Sequence, residues 1–91
     1  MRFAANQRVR IKQSRWAFGG VTGTIVNAPE VLAQLDPDPW IGHYQFKRRK
    51  SAVVVLYWVE FDVATDDGSG DGPYKSAAIE EENLEPCVGR L

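Results

Sequence analysis

The sequence predicts an all-β fold: a small, partly open barrel of five to six short strands, with an excursion inserted at residues 27–51. Three observations lead there. Arg8-Val9-Arg10-Ile11-Lys12 alternates polar and apolar residues, the period of a strand with one buried face. Ala52 to Asp62 is an unusually strong strand pattern, rich in Val with Tyr57, Trp58 and Phe61. No segment carries the periodicity of a long helix, and 91 residues leave room for one core in a single domain spanning 1–91. An open barrel is the economical way to close such a set of short strands.

The elements follow in order. Ser14 to Gly20 reads as a loop in which the paired Gly19 and Gly20 permit close backbone approach. Val21-Thr22-Gly23-Thr24-Ile25-Val26 is β-branched and forms a second strand, with Gly23 predicting a bulge or sharp bend. Pro29-Glu30 opens a helical turn through Val31, Leu32 and Leu35, with Asn27 or Ala28 at the cap position. Asp36-Pro37-Asp38-Pro39 stops it, because each proline drives its predecessor out of the helical region. Trp40 to Phe46 is read as one strand. Asp66 to Pro73 is an acidic, glycine-rich loop, Tyr74 to Ile79 a short strand, Glu80 to Asn83 a single tight turn, and Leu84 to Val88 a last strand.

The strand at 52–62 is apolar on both faces. Val53, Val55, Tyr57, Val59 and Phe61 point one way, and Val54, Leu56 and Trp58 the other. A barrel core covers one face only, so the second needs its own cover. The 27–46 excursion is one candidate; a second copy of the chain, giving a homodimer through the outer face of 52–62, is the other.

Composition excludes several function classes. A formal charge of −1 rules out a uniformly basic nucleic-acid binder. The longest apolar run, Ala52 to Val59, is too short to span a bilayer, and the N-terminus lacks the apolar stretch of a secretory signal. One cysteine, Cys87, forms no internal disulfide, so the expected location is cytoplasmic with no membrane association. The charge is nonetheless split: residues 1–50 carry nine basic and three acidic side chains, and residues 51–91 carry two basic and nine acidic. Such a split marks either a binding surface or two halves that neutralise each other in the fold.

Val9-Arg10-Ile11, the aromatic loop with Ser14-Arg15-Trp16, and Gly23-Thr24-Ile25 resemble the opening of the SH3-like electron-transport accessory proteins, a group that includes subunit IV of photosystem I and the variable chain of ferredoxin–thioredoxin reductase. Tyr57-Trp58-Val59-Glu60-Phe61-Asp62 and the ending Glu82-Asn83-Leu84-Glu85-Pro86 are similar to the closing strand, turn and finish of that group. The likeness touches about half of the chain in scattered pieces. It implies an SH3-like barrel acting as a non-catalytic docking or stabilising element. The 27–51 stretch is longer than the corresponding connection there, and the 62–73 loop has no counterpart. Gly20-Val21-Thr22-Gly23-Thr24-Ile25 also resembles the turn of KOW-type modules, although Gln13-Ser14 stands where those carry a glycine.

Residues with chemical potential are few. His43 is the only histidine, so triads and metal sites built on several histidines are unavailable, and a lone histidine among aromatics is read as structural. Cys87 has no neighbouring basic cluster to depress its pKa. Asp67 to Gly72 loosely fits the start of an EF-hand loop, but its twelfth position is Ala78 and no helices flank it. No enzymatic activity, cofactor or metal is therefore expected. Lys47-Arg48-Arg49-Lys50 is the sharpest functional signal, read as a basic loop that meets an acidic protein partner. The competing reading is a nucleic-acid contact by the same cations, with Trp40, Tyr44 and Phe46 available for stacking. Trp16 and Phe18 either line a shallow ligand groove or cap the open end of the barrel.

Overall fold

The computed structural model describes residues 2–13, 18–66 and 69–87. Among them are seven strands: β1 (Arg8–Ile11), β2 (Thr22–Ile25), β3 (Trp40–Ile41), β4 (Tyr44–Arg49), β5 (Ala52–Thr65), β6 (Tyr74–Glu80) and β7 (Leu84–Pro86). One short helix, α1 (Glu30–Leu35), and a 3-10 turn at Glu81–Asn83 complete the set. Every pairing is antiparallel, and the strands run β3-β4-β5-β2-β1-β7 with β6 on the far edge of β5. The sheet curls without closing into a small, SH3-like, partly open barrel.

β5 organises the molecule. One of its edges serves two partners in succession: β4 along Ala52 to Tyr57, then β2 along Val59 to Phe61. The changeover falls at Trp58, whose amide donates to the His43 carbonyl at 3.0 Å and whose carbonyl accepts from the Val26 amide at 3.0 Å. The other edge of β5 pairs with β6 from Leu56 to Glu60. β6 then passes through the 3-10 turn into β7, which pairs with β1 and brings the end of the chain back to its beginning.

The core follows the period-two pattern. Tyr57, Val59 and Phe61 of β5 meet Val9 and Ile11 of β1, Ile25 of β2, Ile79 of β6 and Leu84 of β7, with Phe3 and Phe18 closing the ends. Each such apolar side chain contributes about 1.5–3 kcal/mol on burial. Gly23 is not a bulge: its register is regular with Val9 on one side and Phe61 on the other. Its role is close approach, since a Cβ there would lie 2.4 Å from the Glu60 carbonyl oxygen and 2.8 Å from Val59 Cγ1.

The excursion departs most from expectation. Trp40 to Phe46 is not one strand but β3, a turn at Gly42-His43, and the start of β4. Gly42 takes the positive φ of 69° that this turn needs. That division raises the strand count to seven, and β4 continues to Arg49. Lys47 to Lys50 is accordingly not a loop: the first three cations are strand residues, and Lys50-Ser51 is a two-residue turn between β4 and β5. Lys50 sits there at φ 54°, which costs a residue with a Cβ about 1 kcal/mol. Lys50→Gly is expected to raise stability by about 0.5–1 kcal/mol, read as a higher midpoint in urea with an unchanged slope.

The excursion covers part of the second face of β5, at Leu56 and Trp58, while Val54 stays half-buried beside an open groove. Leu56 is only 6% exposed. Beside it the buried Gln45 donates Nε2 to the Asp36 carboxylate at 2.8 Å and to the Asp38 carbonyl, so segment 36–40 lies across this face. Asp36 also accepts from the Asp38 amide at 3.0 Å, and the Gln45 bond is the chief cause that holds its carboxyl below the usual value. Trp40 then meets Trp58 edge-to-face with centroids 5.7 Å apart. Over Leu56 and Trp58 the cover is therefore intramolecular. Helix α1 begins after Pro29, not Asn27 or Ala28 as cap, and buries none of its residues.

Candidate docking site

The β4–β5 hairpin reaches beyond the barrel, and its strand alternation sorts the four cations. Lys47 and Arg49 share a face with Gln45, on the outside of the sheet; Arg48 lies with Tyr44 and Phe46 on the inner face. Arg49 pairs with Glu80 of β6. Lys47 is half-buried opposite Val54, and its charge helps to keep Asp36 ionised. Arg48 and Lys50 are exposed and make no ion pair among the described residues. Of the four cations one is ion-paired and one half-buried, so the run presents two that are both exposed and unpaired among the described residues.

Those cations adjoin apolar surface. Past the end of the core the inner face of the hairpin is open, leaving Phe46 47% and Val53 60% exposed. Val53 was expected to face the core with Val55 and Tyr57, and it has the right parity; the barrel simply ends before reaching it. Along the same stretch of β5, Val53, Val54 and Val55 line a shallow groove of about 210 Å³ whose other wall is Glu80, Glu81 and Glu82. Glu81 accepts from the Tyr57 hydroxyl at 2.6 Å and from the Arg2 amide at 3.3 Å. Burial, and then this bond to a carboxylate, push the Tyr57 hydroxyl above its usual pKa.

The remaining candidates lie away from the hairpin tip or outside the described residues. Phe18 is buried and packs on Phe61 and Tyr74 at 5.0 and 6.0 Å, as a residue at the end of the core does. Trp16 lies outside the described residues. His43 sits in the β3–β4 turn against the rings of Tyr44 and Tyr57. Cys87 is half-buried, its amide donating to the Arg8 carbonyl at 3.1 Å. Of the EF-hand-like stretch, residues 67 and 68 lie outside the described residues, and no group of three metal-ligating side chains occurs among the described ones. No helix is long and apolar enough to cross a membrane among the described residues.

Three ion pairs among the described residues join the basic first half to the acidic second half. Arg8 grips Asp62 through both guanidinium nitrogens at 2.5 and 2.6 Å, Arg10 meets Glu85 at 2.5 Å, and Arg49 meets Glu80. Asp62 also accepts from Thr22 at 2.6 Å. The Arg8 and Thr22 bonds lower its pKa from 3.8 to about 2. A depressed carboxyl stabilises the fold above its unfolded value, and this contribution is lost as pH falls from about 4 to about 2. Both side chains are more than a third exposed, so screening keeps the effect near or below about 1 kcal/mol. Asp62→Asn is expected to remove that part of the acid limb in urea unfolding measured between pH 5 and pH 2, and to leave the rest of the profile.

Comparison with protein-family models, curated proteins and solved structures finds no match to this chain. The acidic wall at Glu80–Glu82 is the part of the site that sequence reasoning missed. It was read as a turn, and only the β5–β6 register places it beside the cationic hairpin.

Proposed function

We propose that the chain is a non-catalytic, cytoplasmic docking module that binds an acidic protein surface through the tip of the β4–β5 hairpin. The observation that carries this reading is the pairing of two unpartnered cations, Arg48 and Lys50, with exposed Phe46 and Val53 on a hairpin held by the barrel. Apolar side chains beside free charges are the composition of a protein interface, in which the charges set orientation and the apolar atoms supply affinity. The resemblance to electron-transport accessory proteins favours an acidic redox protein as that surface.

A nucleic-acid contact has less support. Trp40 is engaged with Trp58 and Tyr44 packs on the core, leaving Phe46 alone for stacking. The Glu80–Glu82 wall adjoins the tip and repels a long phosphate backbone more than a compact acidic patch that can seat beside Arg48 and Lys50. The test is a cross-linked pull-down with the native chain and with Arg48→Glu/Lys50→Glu, each with and without nuclease. The expected result is a protein partner that survives nuclease and binds the double variant at least about tenfold more weakly. A nuclease-sensitive partner supports the nucleic-acid reading, and identical partners for both chains reject the tip as a site.

A further inference from the structure

The phase of hydrogen bonding along β5 can be followed from Trp58. Its amide and carbonyl both point toward the β4 and β2 edge, and backbone groups on a strand alternate sides. Residues 52, 54 and 56 therefore face β4, while Val53 and Val55 direct their backbone groups at the opposite edge. On that edge β6 reaches only to Glu80, opposite Leu56, before the chain leaves in the 3-10 turn. The Val53 amide and carbonyl thus have no strand partner among the described residues. They open into the groove whose far wall is Glu80–Glu82.

We propose that the partner contributes an extended segment that adds to this free edge of β5, antiparallel to it, in the lane that β6 vacates. Taking the docking reading for its cationic end, the segment is defined by charge at both ends. Beside the turn, Glu80 is matched by Arg49, whereas Glu81 receives only neutral donors and Glu82 makes no ion pair among the described residues. Beside the tip stand Arg48 and Lys50. An antiparallel strand runs from the turn toward the tip, as β6 does, so its base comes first and its acids last. The free stretch Ala52 to Val55 spans about 13 Å, room for four residues. Residues opposite Val53 and Val55 share their inner face, open at Val53 and half-buried at Val55, and are apolar. The occupant is an extended, alternating segment with a basic residue before it and acidic residues after it.

The probe is the peptide acetyl-Lys-Val-Thr-Val-Asp-Asp-amide, compared with the same six residues in reverse order, which keep composition and net charge. Binding is followed by amide shifts in the nitrogen-labelled full chain. The expected result is saturable shifts at Val53 and Val55, slower exchange of the Val53 amide, and forward binding about fivefold tighter than reverse. Val53→Pro deletes a donor that serves neither β4 nor β6 and should weaken binding at least about fivefold, while Val53→Thr, which keeps the amide, should retain it. Equal binding of the two peptides, or an unmoved Val53 amide at saturation, overturns the proposal even if Val53→Pro fails to fold. If binding then still depends on Arg48 and Lys50, the tip reading stands without the edge. If Val53 and Val55 respond to both peptides alike and Arg48→Glu/Lys50→Glu changes nothing, both fall.

Discussion

Gly23→Ala is expected to destabilise the fold by about 3 kcal/mol, well above the usual cost of adding one methyl group. The new Cβ would meet the Glu60 carbonyl oxygen at 2.4 Å and Val59 Cγ1 at 2.8 Å. The first of these is backbone, so no rotamer change relieves it. The strain must separate β2 from β5, and that pairing is what joins the N-terminal strands to the rest of the sheet. Against a total stability of about 5–15 kcal/mol, Gly23→Val should leave the chain largely unfolded at 37 °C. Urea unfolding followed by far-ultraviolet dichroism checks both variants. A loss under about 1 kcal/mol for Gly23→Ala would mean that β2 and β5 are farther apart than described.

Tyr57→Ala should cost about 3–5 kcal/mol, because an entire buried ring is replaced by a cavity. Tyr57 is fully buried where β4, β5, β6 and the N-terminal arm converge. Its ring stacks at 6.2 Å on His43 and meets Phe3 edge-on at 5.3 Å, and its hydroxyl receives the Phe3 amide at 3.4 Å and donates to Glu81. Tyr57→Phe keeps the ring and should cost only about 1–2 kcal/mol, the loss of a bond to a charged acceptor. The difference between the two variants in urea unfolding separates packing from hydrogen bonding. Equal losses would show that the hydroxyl, not the ring, holds the arm.

The barrel was legible in the sequence because its signals are local. Alternation in Arg8 to Lys12, the two-sided apolar run at 52–62 and the prolines after Leu35 each act over a few residues. The excursion was less legible. The β4–β5 turn is Lys50-Ser51, which lacks the Asn-Gly or Gly-containing pair that announces a two-residue hairpin. Without that signal, four consecutive cations look like a solvated loop, and their division between two faces of a strand is hidden. The burial of Gln45 is equally silent in sequence, since it depends on Asp36 and the Asp38 carbonyl folding over it. The candidate site combines both problems: its cations were visible, but its acidic wall arrives from a different hairpin.

Because one unbroken strand, β5, runs from the tip turn through the centre of the barrel, the tip has no hinge of its own. Its orientation is inherited from the pairing of the same strand with β2 and β6. A partner that meets Arg48 and Lys50 consequently finds them on a frame that needs no folding on contact. On this chain's side, the entropy lost in association is then confined to a few long side chains and to overall motion. If the docking proposal holds, the cost of presenting the tip has been met in folding and not in binding.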